Sequence, residues 1–85
     1  MPDAAPLTPT EKEILLFFQE HPHAVETARG ISTWLGASPD VVGKALDDLV
    51  ERKWLLTHET SVLVGYAVTR DEKLIAQIAS VLSAP

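Results

Sequence analysis

The stretch Ile31-Ser32-Thr33-Trp34-Leu35-Gly36-Ala37-Ser38-Pro39-Asp40-Val41-Val42 decides how this chain is read. Ile31 and Leu35 lie one helical turn apart, and Gly36 follows where a helix commonly ends on a left-handed residue. Two residues later Ser38 offers a capping hydroxyl, Pro39 suits a first helical position, and Asp40 sits in the positive end of the new helix dipole. The stretch predicts two helices meeting at a tight corner: Ala28 to Leu35, capped by Thr27, and Pro39 to Arg52. The first turns Ala28, Ile31 and Leu35 inward with small Ser32 beside them, and the second buries Val42, Ala45, Leu46, Leu49 and Val50. Gly43 in mid-helix costs about 1 kcal/mol relative to Ala and marks a close backbone approach, expected against the preceding helix.

Working outward, Thr8-Pro9-Thr10-Glu11 is a capping box with proline at the first position, and its helix runs to about Glu20, before His21-Pro22. Ile14, Leu15 and Phe18 share one side with Phe17 on its margin, whereas Leu16 falls among Lys12, Glu13, Gln19 and Glu20 and is expected at the surface. His23 to Glu26 reads as an extended connection in which Val25 pairs as a stub strand. After the third helix, Trp54–His58 and Val62–Val68 are rich in β-formers and form a hairpin with Glu59-Thr60-Ser61 at its tip. Thr69-Arg70-Asp71-Glu72 is a second capping box, opening a last helix to about Leu82. Residues 1–7, with Pro2 and Pro6, read as a flexible lead-in, and residues 8–83 as one domain. The expected class is mainly α with a small β-hairpin: a three-helix core, a two- to three-stranded ribbon and a C-terminal helix.

Eighty-five residues make one domain, and a chain this short buries only about 60% of the surface its unfolded form exposes. Hydrophobic residues at 46% and charged residues at 22% exclude a disordered chain. No apolar run reaches the roughly 20 residues that span a bilayer, so no membrane partner is expected. Met-Pro-Asp-Ala-Ala-Pro has neither the basic nor the apolar region of a signal peptide, and the lack of cysteine fits a reducing cytoplasm. There is no glycine-rich phosphate loop or activated-nucleophile motif, so neither an enzyme nor a cofactor is expected. His21-Pro22-His23 with distant His58 lacks metal-ligand spacing, so no metal is expected either. Net charge is −5, and no segment is clearly basic.

A short helix, a glycine turn and a capped restart together make a helix-turn-helix corner, which brings duplex DNA forward as a partner. The element order, with Ile31, Leu35, Gly36, Ser38, Val42, Leu46 and Leu49, then Trp54-Leu55 and the exit Tyr66-Ala67-Val68-Thr69, resembles the winged-helix superfamily of bacterial transcription regulators over roughly residues 8–80. The resemblance implies that the second corner helix enters the major groove and that the hairpin is a wing touching the DNA backbone or minor groove. It nominates Ser38, Asp40, Val41, Gly43 and Lys44 for the groove and His58, Thr60 and Ser61 for the wing tip, with Arg29, Arg52 and Lys53 as flanking phosphate contacts. Lys53 stands where relatives often carry glycine, and the wing lacks the Lys or Arg they commonly place there.

The outward face of the third helix carries Asp40, Asp47, Asp48 and Glu51 around Lys44, which is expected to pair within its own helix. Carboxylates meet a polyanion poorly, so a second partner class stays open: a winged-helix module that binds protein. Its candidate surface is the acidic face of Asp47, Asp48 and Glu51 or the exposed apolar residues Leu16 and Trp34. The last helix spreads Leu74, Ile75, Ile78, Ala79, Val81 and Leu82 over an arc of about 160°, wider than one core contact needs, so Leu74, Ile78 and Val81 with Leu16 and Phe17 are candidates for a homodimer surface.

Overall fold

Seven elements follow one another: α1 (Pro9–Glu20), β1 (Glu26–Thr27), α2 (Ala28–Leu35), α3 (Pro39–Glu51), β2 (Leu55–Glu59), β3 (Val64–Val68) and α4 (Glu72–Ser83). They come from a computed structural model that describes residues 7–83; of the expected lead-in, residues 1–6 lie outside the described residues, and Leu7 packs against the core. The strands form one antiparallel sheet in the order β1-β3-β2. Ile14, Leu15 and Phe18 of α1, Val42, Leu46 and Leu49 of α3, and Leu55 at the start of β2 are fully buried where the helices meet the sheet. Each such side chain contributes roughly 1.5–3 kcal/mol relative to exposure.

Local chemistry sets the helix ends. Thr8 Oγ1 accepts from the Glu11 N–H at 3.1 Å while Glu11 Oε1 accepts from the Thr8 N–H at 2.8 Å, so both halves of the first capping box form. At the corner Gly36 takes φ 69°, and the N–H groups of Gly36 and Ala37 both donate to the Ser32 carbonyl, at 2.9 and 3.2 Å. The Ser32 hydroxyl, buried, donates back to the Ala37 carbonyl, pinning the turn from inside. Ser38 Oγ then accepts from the Val41 N–H at 3.3 Å and starts α3. That helix ends in a Schellman motif: Trp54 N–H donates to the Leu49 carbonyl at 3.0 Å and Lys53 N–H to Val50 at 2.9 Å. Lys53 itself adopts φ 67°, the left-handed conformation that glycine meets without strain.

Four expectations are corrected. The stub strand is Glu26–Thr27, paired with Tyr66 and Gly65, while Val25 precedes it, exposed, with its side chain against the Gly65 backbone. The hairpin tip is longer than read and includes Val62 and Leu63, because Thr60 closes a turn there. Its N–H donates to the Leu63 carbonyl at 2.8 Å, and its Oγ1 accepts from the N–H groups of Val62 and Leu63. Thr69 does not cap α4; Asp71 does, its Oδ1 accepting from Lys73 and Leu74, so α4 begins at Glu72. Gly43 meets no close neighbour: a Cβ built there would have nothing within 4 Å. The α2 contact expected from its lack of a side chain is absent.

Candidate nucleic-acid interface

The corner holds α3 at the surface with its first turn outward. Ser38, Asp40, Val41 and Lys44 are exposed along this crest, and Gly43 opens it without a side chain. Val41 is 50% exposed although its neighbours Val42 and Ala45 are buried. Lys44 is not held inside its own helix as expected: among the described residues it makes no ion pair, and the ion pair that does form is Asp48 Oδ2 with Arg52 Nε at 2.9 Å. Asp40, Asp47 and Glu51 stay on the exposed side.

Asp48 leaves the expected acidic face. It turns toward the N-terminal end of α1, where it lines a shallow groove of about 340 Å³ with Thr8, Thr10, Glu11, Val41, Lys44 and Ala45. Burial and a hydrogen bond with Asp48 hold the Glu11 carboxyl above its ordinary value, against the lowering effect of the Thr8 N–H. The same hydrogen bond, with help from Arg52, holds Asp48 below its ordinary value. The two carboxyls are thus shifted in opposite directions, and the Asp48 carboxylate is matched by Arg52. Arg52 also lies over the Trp54 ring at 5.4 Å, so it joins the end of α3 to the start of the sheet. Arg29 and Lys53 are exposed. On the opposite flank of α3, burial and the Asp47 charge raise the Tyr66 phenol.

In the wing, His58, Thr60 and Ser61 are exposed as expected, but Val62 at 82% and Leu63 at 58% project furthest. Trp34 is 57% exposed and meets Phe17 edge-on, ring centres 4.8 Å apart, with His21 on the same ring at 4.9 Å. Leu16 is exposed, Leu74 and Val81 are half-buried against the core, and Phe17 and Ile78 are buried within it, so these two form no external surface of their own. The features missed in sequence are the Glu11–Asp48 contact and the apolar wing tip. The capping box pointed to Glu11 only as a local acid; its second contact lies 37 positions further along the chain.

No helix among the described residues is long and apolar enough to cross a membrane. No protein-family model matches the chain, and no curated protein matches it. Solved structures do. A variant of Lactococcus lactis ZitR is similar with TM-score 0.70 at 25% identity, covering 94% of this chain and 53% of that one. Another ZitR variant, solved in complex with DNA, gives TM-score 0.68 at 25% identity over 92% of this chain and 53% of that one. A MarR family protein from Bacillus stearothermophilus gives TM-score 0.70 at 17% identity over 92% of this chain and 53% of that one. The chain thus spans about half the length of the solved structures it matches. With a glycine-turned helix corner, a capped outward α3 and a β2–β3 ribbon beside it, the chain is a winged helix-turn-helix domain and a member of the winged-helix superfamily.

Proposed function

We propose that this domain binds duplex DNA through the crest of α3, as the DNA-reading part of a transcription regulator. The observation that carries the reading is the crest itself: an exposed lysine without an intrahelical partner beside an open glycine, on a helix whose start faces outward. The likeness to a ZitR variant solved with DNA supports it. The pairing of Asp48 with Arg52 offsets one of the four carboxylates that α3 would otherwise bring to the phosphates. The remaining acidity lowers non-specific affinity, so recognition rests on a few crest contacts and on the wing. Titrating duplex DNA at low salt is expected to shift the amide resonances of Ser38, Val41, Gly43 and Lys44. Unmoved amides under those conditions refute DNA binding.

A second surface is favoured by Trp34, which is held exposed against Phe17 with Leu16 exposed on the same helix as Phe17. A protein partner or a second copy would use it as an aromatic anchor. The half-buried margin of α4 at Leu74 and Val81 offers a homodimer a further strip. Sedimentation at high concentration tests this; a clean monomer removes the homodimer.

A further inference from the structure

The crest of α3 reaches DNA, on the reading above, with only a few side chains, and their chemistry narrows what they can recognise. The Ser38 hydroxyl accepts from the Val41 N–H and keeps its own O–H for a phosphate rather than a base edge, and Asp40, Asp47 and Glu51 are carboxylates. Val41 is the exposed apolar side chain of the helix: half of it faces solvent, and it takes no part in the core cluster. A β-branched side chain left open at the third helical position, where such helices meet base edges, finds its apolar partner in a major groove in the 5-methyl group of thymine. Lys44 follows at i+3 on the same face, about 5–6 Å away between Cβ atoms, or one to two base-pair steps of about 3.4 Å. Its ammonium, free of ion pairs among the described residues, suits the O6 and N7 acceptors of guanine. Gly43, adjacent to Lys44 in sequence, has open space where a Cβ would stand, so nothing at that position holds the helix surface away from the bases.

We propose that Val41 is a specificity-determining residue that contacts a thymine methyl, with Lys44 on a guanine one or two steps away. The inference rests on the DNA-binding reading. The test begins with duplexes selected from a random pool on the full chain at low salt. Each thymine of the selected duplex is then replaced by deoxyuridine, which removes only the methyl group. Wild type is expected to lose about fourfold in affinity at one or two positions, the worth of one buried carbon. The Val41→Ala variant, changed at a half-exposed side chain outside the core, is expected to bind the parent duplex about fourfold more weakly and to be indifferent to the same replacement. Equal losses in wild type and variant, or no loss at any thymine, overturn the methyl contact while leaving DNA binding in place. Failure to select any duplex overturns both.

Discussion

The two flanks of α3 use the same residue types to opposite ends. On the flank facing α1, Asp48, Glu11 and Arg52 close upon one another, and the guanidinium continues onto Trp54. On the outward crest, Asp40, Lys44 and Asp47 stay exposed and Lys44 takes no ion-pair partner among the described residues. Both flanks grow from one thirteen-residue helix in which four acids surround a single lysine, so spacing alone does not decide which charges pair. The neighbouring helix decides. Where α1 supplies a buried carboxyl, the charges close up; where nothing packs on α3, they remain available to a partner. Exposed i,i+4 pairs contribute only about 0.3–0.5 kcal/mol, too little to hold Lys44 against solvent.

Leu46 lies inside the helix, beneath both flanks and fully buried. Leu46→Ala is expected to cost about 2–5 kcal/mol in urea denaturation, a large share of the stability of so small a domain. A cost below 1 kcal/mol would mean that α3 is not anchored as described. Lys44→Glu is expected to weaken binding to a selected duplex about ten- to hundredfold with the melting temperature unchanged. If the melting temperature falls with it, Lys44 belongs to the closed flank, and the comparison fails.

Glu11→Gln probes the closed flank. The folded value of Glu11 is raised, so its stabilisation is complete below the unfolded value and lost as pH rises through the folded one. Asp48 runs the other way: its contribution is present above its unfolded value and lost as pH falls through its depressed folded value. The stability difference between wild type and Glu11→Gln is therefore expected to shrink as pH rises from acid toward neutral. A difference constant across that range shows that the fold does not raise Glu11. Gly43→Ala, at an open mid-helix position, is expected to stabilise by about 0.5–1 kcal/mol. On the reading of an open crest it also weakens DNA binding; stabilisation with unchanged affinity would show that the gap at Gly43 is not used.

Most of the fold was legible because its signals are local. The capping box at Thr8 and Glu11, the glycine at 36, the Ser38-Pro39 restart and the apolar spacing of Val42, Leu46 and Leu49 all work within a turn or two of chain. The misreadings occurred where a local rule had a rival. Thr69 and Asp71 both suit a cap, and the carboxylate, accepting from two N–H groups, sets the start of α4. Val62 and Leu63 have strand propensity, yet the Thr60 hydroxyl draws them into a turn. Gly43 looked like a packing site because helix propensity says nothing about what stands opposite. The crest residues of the candidate interface were readable by resemblance and helical spacing; the departure of Asp48 and Arg52 was not, since it depends on a carboxyl that only the packing of α1 on α3 brings near.

The two indoles of the chain occupy contrasting places: Trp54 is 7% exposed at the root of the ribbon, and Trp34 is 57% exposed on α2. Their fluorescence therefore separates into a blue-shifted emission from the interior and a red-shifted one from the surface. A Trp34→Phe protein reports unfolding through Trp54 alone, and a Trp54→Phe protein reports whatever settles on α2. The chain thus carries its own pair of optical gauges, one for folding and one for company, with no label attached.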